Sequence, residues 1–90
     1  MPQAIVDPEE LRRFAQSLKK FNTDMQERMT SLGGQLAALE RTWRDQEQKK
    51  FTEEFQQQIQ SLGRLIEIID RHIPYLLRKS ELIEEYLQQR

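Results

Sequence analysis

The chain contains no cysteine, so it can form neither disulfides nor thiolate metal sites, and it suits a reducing or an oxidising compartment equally. Glycine and proline number three each, which leaves few tight turns. Valine occurs once and threonine is sparse, a composition that disfavours a sheet. No apolar run approaches the ~20 residues of a membrane span. The N-terminal MPQAIVDPEELRR has neither the basic start nor the apolar middle of a cleaved secretory signal. The two signs of charge nearly balance at a net −1, so there is no basic excess with which to hold nucleic acid.

What the chain does have is helix formers: Gln, Glu, Leu, Arg and Lys dominate. A charged fraction of 32% would suit a disordered chain, but the apolar residues are regularly spaced, and 90 residues fit one small domain. Asp7-Pro8-Glu9-Glu10 reads as a helix start. Asp7 suits the N-cap, Pro8 the first helical position and Glu10 the return partner of a capping box, with Val6 and Leu11 at the two positions of a hydrophobic staple. From there Leu11, Phe14, Leu18, Phe21, Met25, Met29, Leu32, Leu36, Leu39 and Trp43 follow in steps of three or four. Leu11, Leu18, Met25, Leu32 and Leu39 repeat every seven residues, and Phe14, Met25 and Leu36, like Phe21, Leu32 and Trp43, every eleven, which keeps the stripe on one face of a nearly straight helix. Gly33-Gly34 falls inside the stripe without shifting its phase, and is expected to mark a kink or a close helix crossing rather than a break.

After Trp43 the stripe stops, and every residue from Arg44 to Lys50 is polar. A continuing helix would have to bury Glu47 or Lys50, so a turn is expected at about 43–45, with Asp45 as N-cap and Gln48 as the partner of a second capping box. This places Trp43 at the mouth of the connection, where its indole can fold back as a plug. The second helix carries Phe51, Phe55, Ile59, Leu62, Ile66, Ile69, Ile73, Leu76, Ile83 and Leu87. A further row, Leu65, Ile68, His72, Tyr75, Leu82 and Tyr86, lies about 100° round it. Pro74 removes a backbone donor inside this helix, so a kink or restart is expected there. The expected organisation is a flexible lead at 1–6 and a single all-α domain at 7–90. That domain is an antiparallel two-helix hairpin, with helices at about 8–42 and 46–88. A lone hairpin of this size supplies little core, and one partner helix cannot cover so wide an apolar sector. The row from Leu65 to Tyr86 is therefore the candidate interface. The hairpin is expected to pair into a four-helix bundle, as a homodimer or with a hetero-partner of the same hairpin type.

The length, the two long helices and a Trp in the turn resemble the WXG family of type VII secretion substrates, the early-secreted-antigen-like proteins. The family's signature is Trp-x-Gly between two helices with an aromatic eight residues after the Trp. Here the turn reads Trp43-Arg44-Asp45, and Phe51 stands in the aromatic position. The resemblance runs from about Pro8 to the end of the chain. It implies a bacterial protein-interaction module that meets the secretion machinery and is secreted without a cleaved signal peptide, with the turn as part of the recognised surface. Two positions depart from the pattern. Asp45 replaces the glycine, for which left-handed or capping geometry makes Asp a serviceable substitute. The family's Tyr-x-x-x-Asp/Glu export signal is met by Tyr75-x-x-x-Lys79 and Tyr86-x-x-x-Arg90, neither of which fits. The alternative reading is an intracellular, cytoplasmic adaptor that binds a client helix through the Leu65–Tyr86 row.

Catalytic chemistry finds no support. His72 is the single histidine and has no nucleophile to activate. Glu53-Glu54 and Glu84-Glu85 are helix neighbours that point apart. Scattered acids with one histidine do not make a metal site, and Gly33-Gly34 lacks the Lys and Ser/Thr of a phosphate loop. No catalytic residue, metal or cofactor is expected. Mixed charge signs on the polar faces also argue against binding to anionic lipid.

Overall fold

The computed structural model describes residues 6–89, and the lead expected at 1–6 lies outside this range except for Val6. Two helices form an elongated antiparallel hairpin of 68 × 20 × 15 Å: α1, Pro8–Leu39, and α2, Gln46–Gln88. Each start is set by an aspartate in extended conformation. Asp7 accepts a hydrogen bond from the Glu9 amide at 2.9 Å, and Asp45 accepts one from the Gln48 amide at 2.9 Å. Both caps satisfy amides that the first helical turn cannot. The first closes on Glu9 rather than on Glu10, where a capping box would place it.

α1 closes at Leu39, short of the expected 42, because the Leu39 carbonyl accepts from both the Thr42 amide (3.1 Å) and the Trp43 amide (3.0 Å). The pair of bonds tightens the last turn and leads the chain out of the helix. α2 runs through Pro74 without the expected restart. Pro74 lies on the exposed side, and the packing of Ile73 and Ser80, seven residues apart on the inner side, holds the helix across the missing donor.

The seam between the helices is narrow and partly polar. Its buried apolar residues are Ala15, Ile66 and Ile73, and they are joined by buried Asn22, Gln48 and Ser80. Asn22 is the cross-brace: its Nδ2 donates to the Ile66 carbonyl at 3.0 Å and to the Asp70 carboxylate at 2.8 Å, while its buried Oδ1 has no partner. Towards the open end, Arg12 pairs with Glu84 of α2 and Glu9 of its own helix. These links fix the register of α1 on α2 from two places along its length, Arg12 and Asn22.

Gly33 and Gly34 sit inside an unbroken α1, and a Cβ added at either meets nothing within 4 Å. The pair therefore marks no close crossing within the hairpin, which corrects that expectation. Gly33→Ala and Gly34→Ala are each expected to raise stability by up to ~1 kcal/mol, through the helix propensity of alanine and its smaller unfolded-state entropy. A thermal melt followed by circular dichroism checks this, and a lowered midpoint would mean that the glycines meet something the hairpin alone does not hold.

Candidate functional site

The turn is built from two sets of interactions, one polar and one aromatic. The Glu40 carboxylate, at the end of α1, accepts from Gln48 Nε2 at 3.1 Å and from Thr52 Oγ1 at 3.4 Å, and Gln48 Nε2 also donates to Thr52 Oγ1 at 2.8 Å. Gln48 therefore spends its side chain across the hairpin instead of returning it to Asp45, as the capping box would require. Beside this cluster the rings form a ladder. Trp43 lies 5.8 Å from Phe51, tilted by 40°, and Phe51 stacks on Phe55 at 5.6 Å and 18°. Both separations fall in the favourable range for aromatic pairs. The aromatic eight positions after the Trp is thus the residue on which the Trp packs. Arg44 is exposed and leaves the turn towards water.

Asp45 stands at φ −88°, ψ −175°, an extended conformation open to any residue. No residue from 6 to 89 has a positive φ. The glycine of the motif is therefore not replaced here in a left-handed role; Asp45 serves as a helix cap.

The α2 row foreseen as an interface is uncovered: Leu65, Ile68, Tyr75, Leu82 and Tyr86 are exposed, and His72 lies among them. The structure adds a second row that the periodicity had placed in the hairpin core. Phe14, Phe21, Leu32 and Leu39 of α1 are exposed as well. Phe14 and Phe21 immediately precede the buried Ala15 and Asn22, as Leu65 and His72 precede the buried Ile66 and Ile73. One position back is a rotation of about −100° on each helix, and in an antiparallel pair the same sense of rotation leads to the same side. The two rows therefore share one face. At the turn end the α1 row borders a groove lined by Leu32, Gln35, Leu36 and Leu39 of α1 and Phe51 and Phe55 of α2. The width of the α1 stripe was the available signal, since ten apolar residues cannot all face one helix.

The resulting exposure is large. The chain presents 7361 Å² to solvent, whereas a compact folded monomer of 10.9 kDa exposes about 5,600 Å². Part of this area follows from the elongated shape, and the rows of large apolar side chains exposed on both helices are of the kind that marks an interaction surface. Among the described residues no helix is long and apolar enough to cross a membrane, and no group of three or more His, Cys, Asp or Glu residues is placed to hold a metal.

A hairpin of two long helices, a turn tryptophan packed on the aromatic eight residues later, and one uncovered apolar face agree with the family profile that matches residues 3–86, WXG100, described as proteins of 100 residues with WXG. The chain belongs to the WXG100 family. No curated protein and no solved structure matches it. Members of the WXG100 family are small, helical, non-enzymatic proteins, typically type VII secretion substrates, that generally form dimers and interact with the secretion machinery.

Proposed function

We propose that this WXG100 chain is a protein-interaction module that meets a type VII-like secretion apparatus as a folded pair of hairpins, with the Trp43–Phe51 turn at the recognised end. The observation that carries this reading is the continuous apolar face formed by both helices. It is too large for a hairpin working alone and has the shape of a surface that packs a second hairpin into a four-helix bundle. The turn offers a compact landmark at one end of that bundle: an aromatic ladder, a Glu40–Gln48–Thr52 cluster and an exposed Arg44. The pair is secreted folded, without a cleaved signal peptide.

The test is export. In a host that carries the secretion system, the protein is expected in the culture medium when the secretion ATPase is intact and only in the cells when it is deleted. Equal amounts outside the cells of both strains would sink the reading.

A second reading has one observation in its favour. Lys79 and Arg90 stand four residues after Tyr75 and Tyr86, where the family's export signal has an acid. An adaptor that stays in the cell and binds a client helix through the Leu65–Tyr86 row needs no such signal. In the export assay it is cell-associated in both strains.

A further inference from the structure

The second helix carries a surface that points away from the hairpin altogether. Ile66, Ile73 and Ser80 are buried against α1. Two positions before each stands an arginine, Arg64, Arg71 and Arg78, and two positions after each stands a large apolar residue, Ile68, Tyr75 and Leu82. Two positions are a rotation of about 200°, so both rows lie on the outer side of α2. All six side chains are exposed. Taken together they run in steps of four and three from Arg64 to Leu82, over roughly 27 Å at 1.5 Å per residue. This is the spacing of a coiled-coil seam, with Ile68, Tyr75 and Leu82 at the a positions and the arginines at the d positions. The apolar row lies between the arginines and Leu65 and His72, so it borders the shared apolar face without belonging to it alone.

Charge and shape restrict what can occupy this seam. A second copy laid on it in parallel would set arginine against arginine, and an antiparallel one would bury each arginine against an apolar side chain. None of the three guanidiniums is in an ion pair among the described residues, where the ion pairs are those of Arg12. Tyr75, Arg78, Lys79 and Leu82 line a hollow of about 220 Å³ on this side. Their spacing is that of the four residues that receive one knob in coiled-coil packing. Two cations between two apolar walls suit a glutamate, with its methylenes against Tyr75 and Leu82 and its carboxylate between Arg78 and Lys79. An anionic bilayer fits less well. It would cover the flanks of the seam too, and one flank carries the exposed acids Glu67 and Glu81.

We propose that the outer side of α2 is a docking seam of its own, and that its occupant is a single amphipathic helix of another protein, parallel to α2, with apolar residues at a and acidic residues at d. This goes beyond the readings above by giving the partner a chemistry, and it rests on neither export nor pairing of the hairpins.

A synthetic peptide of about three heptads, with leucine at a, glutamate at d and a fluorescent label, tests the seam against the full chain by anisotropy. The peptide is expected to bind, and its counterpart with lysine at d to bind about ten-fold more weakly, since the wrong sign of charge is rejected at each d position. Arg71→Glu combined with Arg78→Glu is expected to reverse this preference, while circular dichroism and the mass from light scattering stay those of the unaltered chain. No binding of the glutamate peptide, equal binding of the two peptides, or a double variant that folds and keeps the original preference would overturn the proposal. The peptide comparison on the unaltered chain decides the matter even where the variant loses helix. Co-sedimentation with phosphatidylglycerol vesicles that is lost in the double variant, without binding of the glutamate peptide, would make the outer side a lipid contact and overturn the proposal as well. Because mass is read on the same samples, failure of the seam and failure of the paired reading are told apart.

Discussion

Replacing Ile68 and Leu82 together with glutamate is expected to turn a self-paired protein into monomers without loss of helix. Both side chains are half exposed in the isolated hairpin and contribute little to the α1–α2 seam. The substitutions therefore leave the fold's own packing in place, and the circular dichroism spectrum should be unchanged. On the apolar face their effect is different. Each removes the ~1.5–3 kcal/mol gained by burying a large aliphatic side chain, and each sets a carboxylate where a partner would strip its water. Two such positions on each of two chains raise the dissociation constant by several powers of ten, since each 1.4 kcal/mol is tenfold. Light scattering over a concentration series checks the result. A double variant that still runs at twice the chain mass would show that the α2 row is not the interface.

Trp43→Ala carries the second large effect, and it falls on stability. The ring is half-buried and packs on Phe51 at the turn. Removing it loses apolar burial of ~2 kcal/mol and an aromatic contact of ~0.5–1.5 kcal/mol. A small hairpin has only ~3–5 kcal/mol of core stability to draw on. At ~4–8 °C per kcal/mol for a domain of this size, the midpoint should fall by roughly 10–20 °C, while helix content at low temperature is largely kept. Trp43→Phe, which retains a ring on Phe51, should recover more than half of the loss. An unchanged midpoint in Trp43→Ala would mean that the tryptophan is held for recognition and closes nothing.

The helices were legible in the sequence because their signals are local. Asp7 and Asp45 sit where a helix start needs an acceptor, and the apolar steps of three and four are unambiguous in the absence of competing strand formers. The α2 half of the exposed face was legible too, since Leu65 to Tyr86 forms a row separate from Phe55 to Ile83. The α1 half was hidden by economy: Phe14, Phe21, Leu32 and Leu39 belong to the same stripe as the residues that do face α2, and only the position of the partner helix divides that stripe in two. The buried polar residues were hidden for the opposite reason. Nothing local marks Asn22, Gln48 or Ser80 as interior; Asn22 becomes so because the Ile66 carbonyl and Asp70 arrive opposite it, 44 and 48 residues later. The end of α1 was misplaced by a detail of the same kind, one carbonyl that accepts two amides.

The cap at the start of α2 bears on what counts as a motif. If the third position of the turn only has to be extended and begin a helix, its alphabet is that of helix caps: Asp, Asn, Ser and Thr serve as well as a residue with no side chain. What this chain keeps is then a spacing, a large ring and a second aromatic eight places on, with a helix boundary between them. Chains that keep this spacing and spell the third letter differently are invisible to a search for a literal tripeptide, and a search that asks for two rings and a capping residue would gather them.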